Sequence, residues 1–276
     1  MHRFSQIDVF THEFLLGNPV AVIHDADDLT AEQMAAVARW TNLSETTFLL
    51  RPTEPGADYR LRIFTPGNEL PFAGHPTLGS ARAWLDAGGT PADSDQLVQQ
   101  CAAGLIPIRH VRGRLAFAAP ALLRSGPVSA EDLDRIARGL RIDLADVVAS
   151  QWVDNGPGWV GILLKDANSV LGLAPDLPAL TGFNVGVIGP YPDGSECAFE
   201  VRAFVPRSGI GEDPVTGSLN ASLAQWLIGS GRAPAEYTAS QGTHLQRRGR
   251  IHVQQTDGTT WVGGDTVSGV TGTIAL

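Results

Sequence analysis

Short runs in which apolar residues alternate with polar ones, or stand together in small blocks, recur along the whole chain. In the first half they are FSQIDVF, AVIHD, TTFLLRP, YRLRIFTP, GLIPIRHV and RLAFAAP. In the second they are WVGILLK, NVGVIGPY, AFEVRAFVP, RIHVQQ and TVSGVTGTIAL. Gly, Pro and Asp separate them, the punctuation expected of strands joined by turns. Only two segments carry an amphipathic helical period. TAEQMAAVARWT (30–41) puts Met34, Val37 and Ala38 on one face, with Thr30 and Gln33 at capping-box spacing. SAEDLDRIARGL (129–140) opens in the same way with Ser129 and Asp132, and is expected to be its counterpart in the second half.

A third pattern is apolar or small on every side. In HPTLGSARAWLDAGG (75–89) Arg82 is the only charge between Pro76 and Leu85, and SLNASLAQWLIGSG (218–231) has none. Helices of this kind are surrounded by protein. Pro76 is expected at the first helical position and Gly88 at the stop. The two segments also share what precedes them: LRIFTPGNELPFAGHPTLGSARAWL (61–85) and VRAFVPRSGIGEDPVTGSLNASLAQWL (201–227) align. Arg62, Phe64 and Pro66 match Arg202, Phe204 and Pro206; after a three-residue insertion, Pro71, Gly74 and Ala81 match Pro214, Gly217 and Ala224. This is an internal duplication. It predicts an α+β protein of two similar lobes, each a curved, mostly antiparallel sheet wrapped around a buried central helix. The expected division is 1–122, joined by the last strand at about 266–276, and 123–265, with LRSGPV (123–128) as linker.

Composition narrows the function. A chain of 276 residues has the length of two ordinary domains, and 43% apolar residues can fill two cores. The net charge of −9 offers no electrostatic footprint for nucleic acid or an anionic membrane. No window approaches a membrane span, and Asp8 and Glu13 interrupt what a signal peptide would need. Cys101 and Cys197 stand alone, which suits a reducing, cytoplasmic setting. Lys165 is the only lysine, so a pyridoxal Schiff base would hang on one residue. There is no phosphate-loop, dinucleotide or nucleophile-elbow motif, and the seven histidines form no metal-ligand spacing. The chemistry is expected to use bare side chains, with no metal and no cofactor.

The candidates lie at the duplicated turns. A buried helix start carries unpaired N–H groups and partial positive charge. Two such starts facing one interdomain cleft would hold a small carboxylate. Gly74 and Gly217 permit close backbone approach there, and His75 and Ser218 follow them. Ser218 is open to either of two roles, capping or ligand contact. His75, which is not a preferred cap residue, points to the site. Glu45 in TNLSETTFLL, and Glu212 and Asp213 in GEDPVTGS, are open to two readings, solvated surface charges or carboxylates for general acid–base chemistry.

These same stretches carry a resemblance. IDVFTHEFLLGNPVAVI (7–23), NLSETTFLL (42–50), RIFTPGNELPFAGHPTLG (62–79), GEDPVTGSLNASL (211–223) and QGTHLQRRGRIHV (241–253) together resemble the phenazine-biosynthesis PhzF family of isomerases. That family is similar in fold to diaminopimelate epimerases and proline racemases, whose paired catalytic cysteines are replaced here by the AGHP and TGSL turns. The resemblance implies that Glu45 shuttles a proton between two substrate carbons, with His75 and Asp213 as catalytic partners. It further implies substrate binding by Ser44, Gly74, Gly217 and Ser218, no cofactor, a small carboxylate substrate and a homodimer.

Overall fold

The computed structural model describes residues 1–206 and 211–276. Positions 207–210, within the second copy of the repeated turn, lie outside them. The chain begins with β1 (His2–Val9), β2 (Asn18–Ile23), α1 (Ala31–Thr41), β3 (Thr46–Leu50), β4 (Tyr59–Phe64) and β5 (Glu69–Leu70). Next come α2 (Gly74–Asp86), β6 (Gln96–Cys101), β7 (Gly104–Val111), β8 (Arg114–Ala118) and β9 (Arg124–Gly126). The middle holds α3 (Ala130–Leu140), β10 (Val147–Asp154), β11 (Trp159–Leu164), α4 (Ala167–Leu171), β12 (Asn184–Pro190) and β13 (Phe199–Val205). The remainder is β14 (Gly211–Asp213), α5 (Gly217–Gly229), β15 (Glu236–Gln241), β16 (Gly249–Thr256), β17 (Thr259–Gly264) and β18 (Thr266–Ile274). Two compact units divide it: Met1–Ala118 with Gly263–Leu276, and Ala119–Val262.

In the first unit the sheet runs β18–β1–β2–β3–β4–β6–β7–β8. It is parallel only at β2/β3 and β4/β6, the two places where a helix, α1 or α2, makes the connection. Helix α2 packs against β1, β2, β3, β6, β8 and β18, so the sheet curves around it. Polar contacts buried inside this wrap fix its rotation: Thr47 Oγ1 lies 2.8 Å from Ser80 Oγ, and Gln99 Nε2 donates to Thr77 Oγ1 at 3.1 Å. Outside the sheet, α1 buries Met34, Val37 and Ala38; its capping box is made by Thr30 and Gln33.

The second unit repeats this plan. Its sheet runs β9–β10–β11–β12–β13–β15–β16, again parallel at two positions, β11/β12 across α4 and β13/β15 across α5. Register shows the repeat residue by residue. Phe64 stands opposite Glu69, as Phe204 stands opposite Glu212. Arg62 grips Glu69 through two bonds of 2.7 Å with its guanidinium 5.0 Å from the Phe64 ring. Arg202 grips Glu212 at 2.9 and 2.8 Å, 4.9 Å from Phe204.

Three expectations need correction. Helix α3 is not the twin of α1: it precedes β10, whereas the short α4 occupies the crossover place that α1 fills. Their similar openings reflect a shared capping solution, since Ser129 accepts from the Asp132 N–H. The linker expected at 123–128 contains a strand, with Arg124–Gly126 pairing Trp152–Asp154. Pro76 is the third rather than the first residue of α2, which begins at Gly74.

Candidate active site

Four local features bring His75 to its place. Asp8 on β1 is buried and accepts the Gly17 N–H through Oδ2 at 3.2 Å, tying the end of the 10–17 loop to the strand. Gly17 fits because a Cβ there would lie 2.3 Å from the Val9 carbonyl. The loop delivers Asn18 and Pro19 at the start of β2. Gly79 lets α2 approach that strand, since a Cβ would meet Val20 Cγ1 at 2.3 Å. His75, second in α2, therefore sinks against the top of β2, with its side chain 5% exposed. Asn18 Nδ2 lies 3.4 Å from its Nδ1.

Glu45 arrives from the other direction. Helix α1 stops at Asn42, whose left-handed conformation turns the chain back. Leu43 and Ser44 lead to Glu45, immediately before β3. Its Oε2 lies 3.3 Å from His75 Nε2, and its side chain is 15% exposed. The structure thus brings Glu45, His75 and Gly74 together within the first unit, with Ser44 adjacent in sequence. Burial dominates the electrostatics of the imidazole and pushes its pKa down to about 3, against a smaller opposing pull from a hydrogen bond to the Pro19 carbonyl. At neutral pH the pair is accordingly a carboxyl group set against a neutral imidazole. Such an arrangement accepts a proton at an oxygen and relays it without creating a buried cation.

The second unit places Asp213, Gly217 and Ser218 around the start of α5. Asp213 Oδ2 accepts from Thr216 Oγ1 at 2.6 Å. Buried Gln241 braces the turn: its Oε1 accepts from Thr216 N at 3.0 Å and Asn220 Nδ2 at 2.8 Å, and its Nε2 donates to the Asp213 carbonyl at 3.1 Å. Thr216 is the N-cap residue, so Ser218 lies inside the first turn and does not cap the helix. Its Oγ accepts from Trp159 Nε1 at 3.1 Å, and its carbonyl accepts from Asn155 Nδ2 at 2.9 Å. Glu212 is taken up by Arg202.

Gln241, Asn18, Asn155 and Trp159 escaped the sequence reading. A signal existed for two of them, as Asn18 and Gln241 fall in the GNP and QGT pieces of the recognised stretches. Cys101 and Cys197 are buried at neither helix start, and burial raises both thiols. Among the described residues, no three His, Cys, Asp or Glu side chains are grouped to hold a metal ion. No helix among them is long and apolar enough to cross a membrane.

Comparison with known proteins bears on this arrangement. The family model described as phenazine biosynthesis-like protein matches residues 7–272. Antisense-enhancing sequence 1 of Schizosaccharomyces pombe is 37% identical over 90% of this chain and 88% of its own. Trans-2,3-dihydro-3-hydroxyanthranilate isomerase of Pseudomonas aeruginosa is 36% identical over 92% and 90%. A solved Pseudomonas aeruginosa structure, described as a predicted epimerase, superposes with a TM-score of 0.82 at 28% identity over the whole of both chains. With the α+β architecture above, consistent with a diaminopimelate epimerase-like fold, these matches establish that the chain belongs to the phenazine biosynthesis-like (PhzC-PhzF) family of isomerases.

Proposed function

We propose that this isomerase moves a proton between two carbons of a small carboxylate, with Glu45 as the single general acid–base and no cofactor. The observation carrying the reading is the Glu45–His75 pair: a carboxylate beside a buried, neutral imidazole at the start of a buried helix. Glu45 takes the proton from the first carbon, a double bond shifts, and the same carboxyl returns it to the second. His75 orients the carboxyl group and accepts or donates a hydrogen bond as its charge changes. Ser44 and the main-chain N–H groups at Gly74 hold the substrate. The relatives named for trans-2,3-dihydro-3-hydroxyanthranilate make that compound the first substrate to test.

Turnover of that compound and of related unsaturated carboxylates, followed by ultraviolet absorbance and by proton NMR in deuterated buffer, tests the reading. Migration places hydrogen on a new carbon and alters the diene absorbance. Glu45→Gln is expected to lower kcat at least ~1,000-fold with an unchanged melting temperature, within the range that deletion of a general base costs once placement is lost too. Solvent deuterium entering the original carbon with inversion would instead identify a racemase. Normal turnover by Glu45→Gln would end the proposal.

A further inference from the structure

Glu45 reaches His75 because of the face on which it enters β3. Side chains along a strand alternate between its two faces. Phe48 and Leu50 pack in one buried cluster with Met34, Val37 and Ala38 of α1. Thr46 shares their face, and its Oγ1 lies 2.7 Å from Thr41 Oγ1 at the end of that helix. Thr47 points the other way, with its Oγ1 2.8 Å from Ser80 Oγ on α2. Glu45, one residue before Thr46, shares the face of Thr47 and meets His75 of α2 there. A slip of one residue would turn the carboxyl toward α1, away from the imidazole.

Thr46 and Thr47 are both 0% exposed. A hydroxyl at such a position is costly unless it is bonded, and the protons of these two can be traced. The Ala38 carbonyl only accepts. It takes the Asn42 N–H at 3.2 Å and the Thr41 hydroxyl at 3.1 Å. Thr41 has one proton to give, so the 2.7 Å contact is Thr46 donating to Thr41. On the opposite face Thr47 donates to the Ala21 carbonyl at 3.2 Å and receives the proton of Ser80. A hydroxyl link from helix to strand therefore closes over 42–45, the segment that carries Ser44 and Glu45.

We infer that Thr41 and Thr46 are positioning residues for the isomerisation, pinning the 42–45 segment to α1 so that the Glu45 carboxyl stays at His75 Nε2. Thr47 fixes the same strand from its other face. The inference rests on the proposed catalytic role of Glu45.

Thr46→Val and Thr41→Val remove each hydroxyl and keep the shape of the side chain. Thr46→Ser and Thr41→Ser keep the hydroxyl and remove the methyl. With trans-2,3-dihydro-3-hydroxyanthranilate as substrate, Thr46→Val is expected to lower kcat about 10–100-fold with KM within about twofold, and Thr46→Ser to restore it. Thr41→Val should lose at least as much, because it strands the buried Thr46 donor. Either valine–serine pair suffices should the other fail to fold. The ¹⁵N resonance of His75 Nε2, read on the labelled full chain, needs no turnover: it should move in the valine variants and return in the serine ones. Glu45→Gln, measured in parallel, tests the catalytic reading separately; full turnover there would end that reading and leave the resonance to judge the hydroxyl pair. An unmoved resonance in both valine variants overturns the inference whatever the activity. So does a wild-type kcat in both, a loss confined to KM, or a loss that serine fails to restore.

Discussion

His75 illustrates how strongly a single buried side chain can couple to solution conditions. The folded protein keeps the imidazole neutral down to about pH 3, whereas in the unfolded chain it protonates near its ordinary value of 6.5. Between those values the unfolded state binds the additional proton, so stability falls as pH falls, by about 1.4 kcal/mol per pH unit; above 6.5 the contribution is complete. His75→Gln should therefore show a shallower loss of stability than wild type between pH 6.5 and 4.5, measured by urea unfolding at each pH. Identical slopes would mean that the ring is hydrated. The sequence marks His75 out by its place after a glycine at a buried helix start. It does not reveal the depth of burial, because that depends on Gly17 and Gly79 admitting loop and helix to β2.

At the scale of elements, the central helices hold their position through small residues and buried polar contacts rather than through amphipathic faces. Gly79→Ala adds a methyl that would lie 2.3 Å from Val20 Cγ1, so α2 must shift away from β2. A cost of about 1–3 kcal/mol in unfolding free energy is expected, with reduced activity as His75 is displaced. Thr47→Val should likewise destabilise the unit, since it leaves Ser80 without its buried partner at 2.8 Å; an expected loss of ~1–3 kcal/mol is readable by thermal unfolding. The apolar pattern makes α2 and α5 recognisable as interior helices. Strands β6 and β15 are less apparent, because QLVQQC and EYTASQ carry polar residues that the sheet buries, among them Gln99 and Gln241.

For the molecule as a whole, the duplication is an arrangement of two similar plans with different side chains at matching points. The Arg–Glu clamp shows the divergence. Arg202 is 2% exposed and also donates to the Val170 and Leu173 carbonyls at the end of α4, whereas Arg62 is 28% exposed. Arg202→Met should cost about 3–5 kcal/mol because it strands Glu212 in a buried setting. Arg62→Met should cost about 1 kcal/mol or less, since water can replace it; chemical denaturation of the two variants compares them directly. Equal effects would show that the clamps are equivalent in both halves. The sequence by itself determined the repeat, the strand-rich composition and the two interior helices, and it nominated Glu45, His75, Asp213 and Ser218 as candidates. All of these are properties of local pattern or of matching motifs at known spacing. Only the tertiary structure decided that α4 rather than α3 is the twin of α1 and that residues 124–126 form a strand. Those facts follow from strand register and from which distant segments pair, and neither is encoded in any short stretch of the chain.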